Sequence, residues 1–157
     1  MKQFTDDIIA YLREKLNSDT DISKEVKVDY ANDQSITIAP PHIFIQPMQD
    51  TDAEQYDTFY EGEVISYCPV QITAYCQQMR VGGAENPLVS AQEVSMIMAD
   101  KISRLFDKRS ALAWNKNIIR LRRVGENFGM PTDKGATTYM SPIRFEFYIL
   151  RDYEKIN

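Results

Sequence analysis

The sequence predicts an α+β fold, a mainly antiparallel sheet with one long helix over about residues 90–107 and an N-terminal helix over about 5–17 packed on it. Val70, Ile72, Ala74 and Cys76 alternate with Gln71, Thr73, Tyr75 and Gln77, the period-two pattern of a half-buried strand. Ile143, Phe145, Phe147 and Ile149 alternate in the same way with Arg144, Glu146, Tyr148 and Leu150. Between these segments Val94, Ile97, Met98, Ile102, Leu105 and Phe106 recur at spacings of three and four and so share one helical face, with Glu93, Asp100, Lys101, Arg104 and Lys108 mostly on the other.

Along the chain, Thr5 is placed to cap the first helix, with Asp6 and Asp7 in the first turn, where the helix dipole favours negative charge. Ile8, Ile9, Leu12 and Leu16 form its apolar stripe. A helix of about 13 residues is too short to be stable alone and must dock on the sheet or on a neighbouring chain. The polar segment from Asn17 to Lys24 leads to Val26 and Val28, then Ile36 and Ile38, which read as two short strands around Ala31-Asn32-Asp33-Gln34. Pro40-Pro41 ends the second of them. His42 to Gln46 resumes an extended pattern with Ile43 and Ile45 on one face, closed by Pro47. From Gln46 to Glu63 the chain carries Asp50, Asp52, Glu54, Asp57, Glu61 and Glu63 with no Lys or Arg, interleaved with Tyr56, Phe59 and Tyr60. A loop of that length is expected to be functional or ordered by a partner, and its rings favour the partner.

Gly82-Gly83 and Pro87 mark Met79 to Pro87 as a connector or hairpin tip. Ser90 and Glu93 form a capping-box pattern at the start of the long helix, which at roughly 17 residues is about 25 Å long. Asp107 to Lys116 reads as a polar turn anchored by Trp114, and Asn117 to Val124 as a strand with Ile119 and Leu121 facing one way and Ile118, Arg120, Arg122 and Val124 the other. Gly125 to Met140 is a glycine-spaced hairpin loop. The expectation is one domain over residues 1–157, with loops projecting at about 46–63 and 125–140.

Composition bounds the function. A chain of 157 residues with 43% apolar content can build its own core without metal or disulfide staples. A net charge of −5 and an isoelectric point near 4.9 argue against the whole molecule being a nucleic-acid binder. No run approaches 18 apolar residues and the opening MKQFTDD has no apolar core, so neither a membrane partner nor a secretory signal is expected, and synthesis is cytoplasmic. If Cys68 and Cys76 lie on one strand, eight residues at roughly 3.3 Å each hold them about 26 Å apart, beyond disulfide reach.

Chemistry by convergent side chains has little to work with. His42 is the single histidine, and the sequence has no His-x-x-x-His, Glu-x-x-His or Cys-x-x-Cys spacing, so no catalytic, metal or cofactor-binding residues are assigned. Neither glycine cluster completes a phosphate-loop pattern. Asp50, Asp52, Glu54 and Glu61 match positions 1, 3, 5 and 12 of a calcium loop, but the sixth position, which needs glycine, is Gln55. Charge is segregated instead: Lys101, Arg104, Lys108, Arg109, Lys116, Arg120, Arg122 and Arg123 gather between the long helix and the next strand, opposite in sign to the acidic loop. Two solvated faces, complementary surfaces meeting between copies, and nucleic acid on the basic 101–123 region all follow from that pattern.

One ordered series of segments resembles a known family. A strand such as VQITAYC, a capped helix such as SAQEVSMIMADKISRLF, a short Ala- and Trp-containing turn, a strand ending in RRVGE, a glycine- and threonine-bearing loop and a final strand such as RFEFYIL are similar to the tail terminator (neck terminator, tail-completion) proteins of tailed bacteriophages. The resemblance spans Val70 to Asp152 by its motifs and the N-terminal half by architecture only. It implies a non-enzymatic virion protein, assembled in the host cytoplasm, that forms a homohexameric ring, caps the tail tube and provides the head-tail joining surface. Its partners would be itself, the tail tube protein, the head-tail connector or stopper and, in a contractile tail, the sheath, with genome DNA only in transit. The interface residues it points to are Tyr56, Phe59 and Tyr60 and, in the second loop, Phe128 and Met130; the segregation of charge adds Asp50, Asp52 and Asp57, then Arg120, Arg122 and Arg123. A head-tail stopper or connector, and a nucleic-acid-binding module using the basic strip, are the alternatives.

Overall fold

The computed structural model describes residues 2–31, 37–48, 55–57, 63–133 and 136–152. In chain order its elements are α1 (Lys2–Asn17), β1 (Lys27–Tyr30), β2 (His42–Pro47), β3 (Gln55–Asp57), β4 (Glu63–Cys76), β5 (Met79–Arg80), β6 (Leu88–Val89), α2 (Ala91–Leu105), α3 (Lys108–Trp114), β7 (Ile118–Glu126), β8 (Met130–Pro131) and β9 (Tyr139–Asp152). The main sheet runs β1-β2-β4-β9-β7, with β3 added beside β4 and β8 beside β9, while β5 and β6 form a separate hairpin. Every described pairing is antiparallel except β1 with β2. The fold is therefore α+β with a mainly antiparallel sheet, built on the two 14-residue strands β4 and β9.

The two alternating segments became the centre of the sheet because one row of each is fully apolar. Val70, Ile72, Ala74 and Cys76 of β4 and Ile143, Phe145, Phe147 and Ile149 of β9 are buried, and the register sets Val70 against Phe145 and Ile72 against Ile143 on one face. That face carries α1 over β1 and β2 and α2 over β4 and β9, with α3 against β7. Rings from four elements close the core: Phe147 meets Phe4 at 5.0 Å and Phe106 at 5.7 Å, and Trp114 stacks on Tyr11 at 4.7 Å. Cys68 and Cys76 lie eight positions apart on β4, both buried, so no disulfide joins them, and burial pushes the Cys76 thiol up to about 12.

Several expectations are refined or corrected. The helix expected over about 90–107 is α2, with 15 residues, and α1, with 16, is as long. The latter begins at Lys2, so Thr5 is not its cap; the buried Thr5 hydroxyl donates back to the Lys2 carbonyl inside the helix, and Asp6 and Asp7 fall outside the first turn. Ile8, Ile9, Leu12 and Leu16 are buried as the stripe requires. Ser90 does cap α2, its hydroxyl accepting from the Glu93 amide at 3.3 Å, while Ile97 and Leu105 sit at the margin of the buried stripe. The turn expected from Asp107 to Lys116 is a helix, because the Asp107 carboxylate takes the Ser110 amide at 2.8 Å as an N-cap.

Among the described residues the hairpin expected around Ala31 is not formed. β1 pairs in parallel with β2, the exposed Ile38 lies outside any strand, and Ile36 lies outside the described residues. Pairing with β2 lets Val28 join Ile43 over the same core, a non-local contact that no local turn signal reveals.

Two prolines sit inside long central strands, and the ladder explains both. The Met48 amide donates to the Pro69 carbonyl at 3.0 Å, so Pro69 turns its donor-free nitrogen to the side where β2 ends at Val70 and β3 begins at Ser66. Pro142 falls in the equivalent gap on the other side, between the last partner of β7, Ile143, and the first of β8, Met140.

An ion triad ties the segment after α1 to α2. The Lys101 ammonium reaches Asp19 at 2.6 Å and Asp21 at 3.2 Å. Burial acts to raise the Asp19 carboxyl, but the hydrogen bonds from Lys101 and the Asp21 amide outweigh it and hold it below the ordinary carboxylate value. Burial likewise acts to lower Lys101, and the two carboxylates outweigh it, leaving it raised. A depressed carboxyl contributes stability above its unfolded value and loses it as pH falls through the folded one. Asp19→Asn should therefore cost about 1 kcal/mol at neutral pH and flatten the acid limb of a melting-temperature profile below about pH 4. An unaltered acid limb would show that Asp19 is not linked to folding.

Candidate interaction surfaces

The face of the sheet opposite the helices carries no described helix, and cross-strand register decides what it presents. Across β7, β9 and β4 the rows are Arg120, Tyr148 and Tyr67, then Arg122, Glu146 and Pro69, then Val124, Arg144 and Gln71. The Arg120 guanidinium lies 5.6 Å from the Tyr148 ring centroid, and Tyr148 packs 5.1 Å from Tyr67. The Tyr67 hydroxyl donates to one Glu146 oxygen while Arg122 Nε sits 3.4 Å from the other. Arg144 Nε is buried in this row with no hydrogen-bond partner among the described residues.

The three arginines predicted as one basic strip do not share a face. Ile119 is a bulge: Ile118 pairs with Ile149 and Arg120 with Tyr148, so one extra residue resets the alternation. Ile118 therefore turns into the core beside Leu121, contrary to the simple period-two reading, and Ile119 is 50% exposed. Arg120 and Arg122 point to the open face, whereas Arg123, opposite Phe145, lies on the helix side of the edge and is exposed there. Of the other basic residues, Lys101 is held by Asp19 and Asp21, and Arg104 pairs with Asp100 one turn earlier at 2.7 Å.

The loop expected to project from Gly125 to Met140 is shorter and folds back. β7 runs on to Glu126, β8 pairs with the start of β9, and Phe128 packs partly buried against the core, with Met130 partly buried in β8. Gly129 fixes the fold-back at φ +67°, with its amide donating to Ser141 Oγ at 2.9 Å and its carbonyl accepting from Gln92 Nε2 at 3.1 Å. A Cβ there would come within 2.9 Å of Gln92 Cγ, so glycine is required by both conformation and space.

The acidic segment is only partly described. Tyr56 and Asp57 belong to β3, so the expected loop contains a strand paired with Val64 to Ser66. Asp50, Asp52, Phe59 and Tyr60 lie outside the described residues, as do Glu54 and Glu61 of the calcium-like frame. No group of three or more His, Cys, Asp or Glu is arranged to hold a metal among the described residues.

His42 has a structural place that the sequence did not disclose. It is fully buried on the sheet face away from the helices, stacked on Phe44 at 4.1 Å. Its Nδ1 accepts from the Ala39 amide at 3.1 Å, which leaves the proton on Nε2 to donate to Asp29 Oδ2 at 2.7 Å. Asp29 Oδ1 in turn takes Arg13 at 3.3 Å. Every polar atom of the ring is thereby occupied in joining β1, β2 and the segment before β2.

No helix among the described residues is long and apolar enough to cross a membrane. The sequence matches no protein-family model and no curated protein.

Proposed function

We propose that this chain is a structural virion protein that caps the end of a bacteriophage tail tube as a ring, stops tail polymerisation and offers the surface for head joining. The observation that carries the reading is the two-sided subunit: helices cover one face of the sheet, and the other, carrying no helix among the described residues, presents Arg120, Arg122, Tyr67 and Tyr148 in rows set by cross-strand register. Its element order supports the resemblance to tail terminators, with β4, α2, β7 and β9 occupying the places of the family's strand, capped helix, strand and final strand. In this account one ring face imitates a tube subunit and the other does not, so growth stops without chemistry. The homohexameric state, the tube, connector or stopper and sheath contacts, and the placement in the virion all belong to this proposal. Electron microscopy of the purified protein at micromolar concentration is expected to show closed rings, and light scattering a concentration-dependent oligomer; a monomer at all concentrations would count against it.

A second reading is favoured by one observation. Tyr67 and Tyr148 lie among Arg120 and Arg122 on an open sheet, the interleaving of rings and cations that single-stranded nucleic acid uses. Steeply salt-dependent binding of a labelled oligonucleotide, lost in Arg120→Ala, would support it, and no binding at low salt would remove it.

A further inference from the structure

The two ends of the strand order are finished differently. β1 is closed by its own chain: Asn17 of α1 takes the Val26 amide at 2.8 Å and donates to the Val26 carbonyl at 3.0 Å, and Arg13 Nη2 donates to the Val28 carbonyl at 2.6 Å. Side chains of a helix thus occupy backbone groups that another strand would seek. β7, at the other end, has only β9 beside it among the described residues. An edge strand of this kind turns alternate backbone N–H and C=O groups outward, ready to pair with a further strand.

Two chemistries meet along this edge. Residues 108–125, which form α3 and most of β7, include no Asp or Glu, and the side chains of Lys116, Arg120 and Arg122 are exposed. Arg122 places its Nε on Glu146 and Arg120 lies over Tyr148, yet the Arg122 side chain remains 58% exposed. Toward the helices, a notch of about 180 Å³ opens between α3 and β7, lined by Ala111, Ile118 and Leu121 and bordered by Leu112 and Ile119, which are 39% and 50% exposed. Either residue alone would be an ordinary exposed apolar side chain; flanking one notch beside an unpaired strand, they form a patch.

We infer that the β7 edge receives an extended segment of another protein in which carboxylate side chains alternate with apolar ones, added as a further strand of the sheet. Side chains of such a strand alternate between the two faces. Positions opposite Arg120 and Arg122 fall on the open face, where carboxylates complement the guanidinium groups, and the position between them falls on the helix side, beside Leu121 and the notch. Backbone pairing holds the segment, while charge and the notch select it. A second copy is a poorer occupant, because an antiparallel β7 pair centred on Leu121 or on Arg122 sets arginine against arginine. The inference needs a single copy of β7 and so stands apart from the ring reading.

Fluorescence anisotropy of the full chain with a labelled peptide of about ten residues, alternating glutamate and valine, tests it. Saturable binding is expected, weakened at least tenfold by Arg120→Ala/Arg122→Ala and, with every charge kept, by Leu112→Gln. A peptide alternating lysine and valine should not bind, and neither should the acidic peptide with alternate amides N-methylated, which cannot complete a ladder. These two peptides probe the wild-type chain, so the result does not hang on a substitution being tolerated. No binding of the acidic peptide overturns the inference, and equal binding of its N-methylated form overturns strand addition. Self-association in sedimentation velocity that Leu112→Gln abolishes would make a second copy the occupant, and an oligonucleotide that binds where the peptide does not would assign the edge to nucleic acid; either result overturns it. Electron micrographs of the same sample report rings separately, so loss of this contact and loss of the ring are distinguishable.

Discussion

Phe147→Ala should destabilise the fold by about 3–5 kcal/mol, a fall in melting temperature on the order of 10 °C for a chain of this size. Phe147 is fully buried at the point where β9 meets two helices, with Phe4 of α1 and Phe106 at the end of α2 against its ring. Truncation removes the shared contact of three elements and leaves a cavity that rings anchored on separate backbones cannot easily collapse into. Phe147→Leu, which keeps most of the volume, should cost less than half as much. Chemical denaturation with an unchanged slope is the appropriate measurement. A loss below about 1 kcal/mol for the alanine variant would mean that the helices do not depend on this face of β9.

His42→Ala should cost about 3 kcal/mol, and His42→Phe should recover only part of it. The ring contributes both volume against Phe44 and two hydrogen bonds, from Ala39 and to Asp29. Phenylalanine restores the volume but leaves the Ala39 amide and one Asp29 oxygen without their partner, and an unmet polar group near the interior costs on the order of 1–3 kcal/mol. Full recovery by phenylalanine would show that His42 acts by packing alone. Either outcome concerns stability, because both ring nitrogens are spent on fixed protein partners.

The central strands and α2 were legible because each has one continuous face against the core, and burial then follows period two or the three-four spacing directly. Ser90 was legible as a cap because its oxygen acts locally. Thr5 misled for a related reason: its hydroxyl can satisfy a carbonyl within the helix as readily as an amide at its start, and the buried position decided for the former. The Asp107 cap had a sequence signal, an acidic residue three before Ser110, but the seven-residue helix behind it is too short to show a period. The parallel β1-β2 pair and the Ile119 bulge are set by contacts distant in sequence, and neither leaves a local mark.

The candidate surface was legible in composition and not in geometry. Segregated charge pointed to Arg120, Arg122 and Arg123, yet the alternation of β7 puts Arg123 on the face opposite Arg120 and Arg122, and register alone brings Glu146 to Arg122 and Tyr148 to Arg120. Phe128 and Met130 were expected at a projecting tip, and the buried Gly129, held by Ser141 and Gln92, draws them back toward α2.

The most direct test of the account is tube elongation. Tail-tube protein of the same virus, polymerised with and without this protein, should give capped tubes that stop growing, with one ring at a single end in electron micrographs. Tubes that lengthen at the same rate and carry no ring at either end would contradict it.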